Sequence, residues 1–335
     1  MSPLTRKRIN NFKRNKRGYW SLWIFTTLFV ISLFAEFLAN DKPILVKYDG
    51  EFYFPIFNQY SEKQFGGFFQ TEADYKDPFV RSLIDAGGYM IMPLIEYNFE
   101  FSRGTSVLVP PSIAHWLGTD DTGRDVAARI IYGFRLSVLF GLTLTIASSI
   151  IGIVAGAIQG YFGGWVDLIM QRFLEIWSSM PFLFVLIILA SIVEPNIVWL
   201  FAIILMFSWT KLVDLVRAEF LRARNFEYVR AARALGVREP KIIFRHILPN
   251  ALVSTFTFLP FILTGAVTVL SELDFLGFGL PESYPSLGEL ALQGKNNLDA
   301  PWLAAASFFT IAITLSLLLF IGEALRDAFD PRKTI

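Results

Sequence analysis

The chain has 335 residues, 54% of them hydrophobic and 16% aromatic, with a mean hydropathy of +0.48. Such a composition exceeds what a soluble protein of this length carries and places the chain in a bilayer. The formal net charge of +1 points to neither nucleic acid nor an acidic partner, and the lack of cysteine, with His115 and His246 the two histidines, excludes a disulfide framework and a cysteine or histidine metal cluster.

Crossing the hydrocarbon core as a helix takes roughly 20 apolar residues. Six stretches come close to that length: 19–39, 136–158, 176–193, 197–216, 251–271 and 301–322. Pro181 predicts a kink in the third. The fourth carries Lys211 and Asp214, which are three apart and expected to pair on one helix face. Residues 1–18 contain Arg6, Lys7, Arg8, Lys13, Arg14, Lys16 and Arg17 without an acidic residue. Positive charge stays inside, so the amino terminus belongs in the cytoplasm, and six crossings return the carboxyl terminus there. A basic start before an apolar run also describes a signal peptide, with Ala35 and Ala39 as small cleavage-site residues. The run is too long for a signal core and Glu36 falls where neutrality is required, so a retained anchor is expected.

The segment 40–134 falls outside and is acidic in its first half, with Asp41, Asp49, Glu51, Glu62, Glu72, Asp74, Asp77 and Asp85. Its many aromatics, among them Phe52, Tyr53, Tyr60, Phe65, Tyr75 and Phe79, are too dense for a flexible linker, while Pro55, Gly66, Gly67, Pro78, Gly87 and Gly88 break it into turns and brief helices or strands. Asp120, Asp121 and Asp125 lack the alternating ligands and later glutamate of a calcium loop. They read instead as caps of the helix entering the second span, with Arg124 and Arg129 pairing locally. Gly152 and Gly156 form a GxxxG pair, suited either to packing within the chain or to a contact with another membrane subunit. Glu36, Glu175 and Glu323 lie near span ends, where snorkelling suffices, and Glu272 and Asp274 flank the external end of the fifth span as candidate solute-path residues.

The loop after the fourth span is rich in arginine, with Arg217, Arg222, Arg224, Arg230, Arg233, Arg238 and Arg245. Residues 217–235 read as one amphipathic helix with Phe220, Tyr228, Ala231 and Leu235 on its apolar stripe. Gly236 is its carboxyl cap, Pro240 opens the next helix and Pro249 closes it before the fifth span. A stiff helix pair hinged at Gly236 suits transmission of movement from a cytoplasmic partner. Ala231 and Ala232 would allow close docking, and the arginines would meet acidic groups on the partner's rim. The same loop also suits a solvated basic segment held near anionic lipid.

Arg230-Ala231-Ala232, Gly236, Leu248 and Pro249 resemble the E-A-A, G, L-P signature of bacterial ABC importer permeases, with Arg230 replacing the glutamate and His246 the isoleucine. HWLGTDDTGRDV from His115, GYFGGWVD from Gly160, FLGFGLP from Phe275 and GEALRDAFDP from Gly322 are similar to the C-type dipeptide and oligopeptide permeases. RGYWSLWIF from Arg17, ANDKP from Ala39, YDGEFYFP from Tyr48 and GKNNL from Gly294 look like Yej-type permeases. The resemblance implies an inner-membrane importer subunit for peptides or peptide-like compounds such as microcin C. Its implied partners are a second, B-type permease, an ATP-binding subunit or fused ATPase, and a periplasmic solute-binding protein, in addition to the lipid bilayer and without nucleic acid. ATP binding would close the ATPase pair and turn the permeases outward through the helix pair, and hydrolysis would reset them.

The expected fold class is an all-α membrane protein: six transmembrane helices, a cytoplasmic coupling-helix loop and a long periplasmic insert after the first helix. The expected divisions are 1–39, the cytoplasmic amino terminus and first helix; 40–134, periplasmic; 135–323, a permease core of five helices with coupling loop 217–249; and 324–335, the cytoplasmic carboxyl terminus. No catalytic, cofactor or metal residue is expected. Gly294-Lys295 lacks the glycine spacing and the serine or threonine of a phosphate loop, so ATP belongs on partner subunits. A secondary transporter would place ionisable groups at mid-membrane, and a membrane enzyme would need a convergent nucleophile, base or metal; neither pattern is present.

Overall fold

The computed structural model describes residues 3–100, 106–190, 192–193 and 196–329. The last two positions of the GEALRDAFDP motif lie outside the described residues. The chain forms two compact units, one of residues 1–26, 137–281 and 312–335, the other of residues 27–136 and 282–311.

The first unit is helical. Helix α1 (Pro3–Arg14) meets α2 (Lys16–Leu33) at Asn15, whose side-chain oxygen accepts the Gly18 amide at 3.3 Å. After α3 (Ala35–Leu38) and α4 (Pro78–Gly87), which belong to the second unit, come α5 (Val126–Phe162), α6 (Gly164–Ser179) and α7 (Phe182–Ala190). Helices α8 (Ile197–Ser208) and α9 (Thr210–Ala223) run on as one apolar rod. Three segments are long and apolar enough to cross a membrane: Val126–Phe162, Ile197–Ala223 and Pro301–Phe329. The pair α6 and α7, bent by 67°, makes a fourth if it is one span. The bend falls at Pro181, as its sequence predicts: Met180 before it is extended, at φ −70° and ψ 125°, because the proline ring disfavours the helical region there.

The GxxxG stripe packs within the chain. A Cβ on Gly152, Gly156 or Gly160 would lie 2.6, 2.6 and 2.5 Å from the carbonyl oxygens of Trp209, Val213 and Arg217 respectively. Every fourth residue of α5 therefore lets its backbone touch that of α9, and the stripe runs one glycine beyond the pair recognised in the sequence. Lys211 does not pair with Asp214 among the described residues; its ammonium lies near Gly265.

The second unit contains residues 40–134. Strands β1 (Leu45–Tyr48), β2 (Glu51–Tyr53) and β3 (Gly88–Ile91) form an antiparallel sheet in the order β2-β1-β3. Asp49 and Gly50, at φ 52° and 86°, supply the two left-handed positions of the β1–β2 hairpin, which the Asp-Gly pair signals in sequence. The aromatics fold onto one another. Phe65 is fully buried and receives the ring edges of Tyr48, Tyr53, Tyr60 and Tyr75 at 5.3 to 6.4 Å, beside Val46, Val80 and Ile84. Lys76 rests on the Tyr97 ring at 3.4 Å, and its burial lowers its pKa to about 8. The unfolded chain thus binds more protons than the folded one between pH 8 and the ordinary lysine range, and stability rises with pH across that window. Lys76→Met should stabilise the protein at neutral pH, with a gain that shrinks toward pH 10 in thermal unfolding. A gain that is absent at pH 7 or grows with pH would contradict this.

Asp125 caps α5, accepting the Ala128 amide at 2.9 Å, and also holds His115 Nδ1 at 2.8 Å. Asp120 accepts the Arg124 amide at 2.8 Å and its Nε at 2.6 Å, as local pairing predicts, while burial and the neighbouring Asp120 charge push the Asp121 carboxyl upward. The arginines also reach far in sequence. Glu289, on α14 (Leu287–Asn296), accepts from Arg124 Nη2 at 2.8 Å and from Arg129, whose side chain is fully buried. Glu36 likewise pairs with Arg135 at 2.8 and 3.0 Å rather than only snorkelling.

Candidate functional site

The arginine-rich loop is two helices where one was expected. After α9 the chain breaks at Arg224–Phe226, and α10 (Glu227–Ala234) follows. Phe226 adopts an extended backbone at the α10 amino cap, and Phe220 lies fully buried on α9 while Tyr228 is exposed. Gly236 ends α10 at φ 75°, its amide donating to Arg233 O at 3.0 Å while Val237 donates to Ala232 O at 3.1 Å. This is the glycine-terminated closure expected from sequence, and the left-handed backbone requires glycine there.

Helix α11 (Glu239–Lys241) begins with Pro240 in its first turn and leads into a π-helical turn at Ile242–Ile247, then α12 (Leu248–Phe256). Pro249 does not close this stretch. It sits one residue into α12, and the wider π turn, in which the Leu248 amide reaches Ile243 O, accommodates a ring that would clash with an ordinary helix. Helix α13 (Leu259–Phe275) starts only after a break at 257–258, so the expected fifth span is a pair of helices.

Two faces of α10 are apolar, and they have different fates. Val229 and Ala232 are buried against Ala157, Tyr161, Val216, Phe220, Ile242 and Ile247. Tyr228, Ala231 and Leu235 face solvent, with Leu235 83% exposed. Ala232 therefore braces the turn from inside and does not offer a partner close approach. Leu248 packs inward as well, whereas Arg230, Ala231, Gly236 and Pro249 are exposed. Residues 235–238, 240 and 241 border an open hollow of about 510 Å³.

The brace is polar as well as apolar. Arg233 donates to the Tyr161 hydroxyl at 3.0 Å, and Arg224 reaches Tyr161 O at 3.4 Å, tying the loop to α5. Arg217 holds Asp167 by two hydrogen bonds, 2.5 and 2.7 Å, joining α9 to α6. Tyr161 and Asp167 both lie in the GYFGGWVD segment, whose pairing with three loop arginines only the fold reveals. Such a frame ties the exposed turn and α9 to α5 and α6.

Of the two candidate solute-path residues, Glu272 is exposed while Asp274 is buried, at 6% exposure, and accepts the Leu280 amide at 2.7 Å. Asp274 thus serves the closure of the FLGFGLP loop; a Cβ on Gly279 would overlap its carboxylate at 1.8 Å. Among the described residues no group of acidic or histidine side chains could hold a metal ion.

Long apolar helices with an exposed, internally braced turn define a helical membrane permease fold. Residues 127–335 match the family described as the binding-protein-dependent transport system inner membrane component, and residues 4–60 match the N-terminal TM domain of oligopeptide transport permease C. The chain belongs to this family of inner-membrane transport components. It is 56% identical, over 99% of its length and 94% of the relative's, to the peptidoglycan transport system permease protein YejE of Agrobacterium fabrum. Identity is likewise 56%, over 100% and 99% of the two chains, with the inner membrane ABC transporter permease protein YejE of Escherichia coli. The oligopeptide transport system permease protein OppC of Haemophilus influenzae is 40% identical over 65% of this chain and 70% of its own.

Proposed function

We propose that this chain is the transmembrane permease subunit of a bacterial ABC importer that moves peptides or peptide-like compounds, including the microcin C type, across the inner membrane. The observation that carries the reading is near-complete coverage at 56% identity by two YejE permeases. One of these is described as transporting peptidoglycan, which favours peptide-bearing wall fragments within the solute class. Six crossings follow if α2, α5, α6 with α7, α8 with α9, α12 with α13, and α15 (Pro301–Phe329) each span once, with both termini cytoplasmic and 40–134 periplasmic. The segments 1–39, 135–323 with loop 217–249, and 324–335 are then anchor, permease core and cytoplasmic tail.

On this reading the exposed surface of Arg230, Ala231, Leu235, Gly236 and Pro249 docks an ATPase, and Ala232 and Leu248 hold that surface rigid. ATP is bound and hydrolysed on the partner subunits. A B-type permease completes the pathway, a periplasmic binding protein delivers solute, and Glu272 lies along the solute path. This chain needs no cofactor and makes no enzyme of its own.

A mild-detergent pull-down with ATPase assay tests the assignment: a second permease and an ATPase should co-purify. Leu235→Glu and Ala231→Trp change only exposed positions, so folding should survive while solute-stimulated ATPase activity and uptake fall at least tenfold. Gly236→Trp has open space around its Cβ but strains the left-handed backbone at φ 75°, so it should uncouple with some loss of stability of the turn. The two exposed-position variants separate docking from that strain. Wild-type uptake and ATPase activity in all three variants would remove the docking role, and a pure homo-oligomer without ATPase would favour a secondary transporter.

A further inference from the structure

We infer that the junction of α1, α2 and α15 is a binding cleft for a phospholipid headgroup carrying both a phosphodiester and a primary ammonium, as in phosphatidylethanolamine. The assignment is independent of which solute is carried. The cleft is an open hollow of about 520 Å³, with Arg14, Lys16 and Arg17 along one wall and Glu323 and Asp327 along the other. The two carboxylates are four apart, on one face of α15, and the cations cluster where α1 gives way to α2. Arg14, Lys16, Arg17 and Glu323 make no ion pair among the described residues, although opposite charges border the same hollow. Glu323 thus faces the three cations across the cleft without pairing with them.

The level of the cleft follows from the helices that form it. A Cβ on Gly18 would overlap Ala324 Cβ at 2.0 Å, so the beginning of α2 and the end of α15 touch. The apolar run of α2 starts at Tyr19 and that of α15 ends at Gly322, which puts the charged residues just beyond the hydrocarbon boundary. Trp20 and Trp23 are 61% and 53% exposed one turn into α2, as interfacial aromatic anchors are. Arg8 lies 4.6 Å over the Phe329 ring, linking α1 to α15 beside the cleft.

Charge complementarity selects the ligand. A phosphodiester meets the three cations Arg14, Lys16 and Arg17. An ammonium joined to it by a short linker reaches Glu323 and Asp327 and can donate three hydrogen bonds. A trimethylated choline cannot donate them, and a glycerol headgroup brings no positive charge to the acidic wall. A purely basic patch would instead favour net anionic lipid.

Native mass spectrometry of the assembled transporter in detergent doped separately with phosphatidylethanolamine, phosphatidylglycerol or phosphatidylcholine of identical acyl chains tests the assignment. Wild type should retain phosphatidylethanolamine in preference. Lys16→Gln/Arg17→Gln and Glu323→Gln should each weaken that retention roughly tenfold, the scale of a lost charge-assisted hydrogen bond. Glu323→Asp should keep it, which separates a charge requirement from misfolding if the double variant assembles poorly. Preferential phosphatidylglycerol retention that rises in Glu323→Gln would overturn the assignment in favour of an anionic-lipid site. Displacement by millimolar inorganic phosphate would make it a free-anion site, and equal retention of all three lipids would mean no headgroup recognition.

Discussion

Glu289→Ala should destabilise the protein by about 3–5 kcal/mol, because it leaves the guanidinium of Arg129, which is 0% exposed, with only Asp120 at 3.7 Å as a charge partner. Glu289 joins Arg124 of the GTDDTGRD segment to Arg129 on α5, while their remaining partners are Asp120 and the carbonyls of Phe99, Glu282 and Tyr284. None of those carbonyls carries a formal charge to replace it. Thermal unfolding in detergent should show the loss, together with easier proteolysis of the 106–125 segment. Arg129→Met/Glu289→Met removes both charges and should recover much of the stability, since apolar packing replaces a buried ion pair at little net cost. An unchanged unfolding temperature for Glu289→Ala would show that water or Asp120 already compensates Arg129.

The second large effect is expected at Gly156. Leucine there would drive its Cβ to 2.6 Å from Val213 O and 2.9 Å from Val216 Cβ, on the partner helix's backbone and first side-chain atom. A flexible side-chain end could move aside, but a helix backbone moves only as a whole. The cost should be at or above the upper end of the roughly 1–3 kcal/mol typical of overpacking. Gly156→Leu/Gly160→Leu should leave little monodisperse chain on size-exclusion chromatography. Displacement of α9 should also disturb the Arg217–Asp167 bridge and the seat of α10, so any protein recovered from the single variant should be poorly coupled. Normal chain stability with loss of a second membrane subunit would instead place the glycine stripe at an intersubunit contact.

These effects show how much of the site was legible beforehand. The Gly236 closure was readable because one residue with a unique backbone range ends a helix, and local hydrogen bonds then complete it. The Pro181 break was readable for the same local reason. The inward face of α10 was not. Tyr228, Ala231 and Leu235 form as good an apolar stripe as Val229 and Ala232 do, and periodicity cannot say which one a neighbouring helix covers. The structure buries Val229 and Ala232 and leaves the other stripe exposed, so the alanine pair divides between brace and surface. The break at Arg224–Phe226 carries no proline or glycine to mark it in the sequence.

Composition, charge bias and local backbone chemistry by themselves determined that the chain is a helical membrane protein, where several helices end, and where an exposed basic turn interrupts the apolar rods. Those properties depend on neighbours within a few residues or on averages over a span. Only the tertiary structure decided that Glu289 answers Arg124 and Arg129 across more than 150 positions, with separations of 165 and 160 residues, that Asp274 closes its own loop, and that Gly152, Gly156 and Gly160 face α9. Hydropathy carries no information about a helix's rotation about its axis, and ion-pair choice depends on which termini are brought together. Both are settled by close packing between segments remote in sequence.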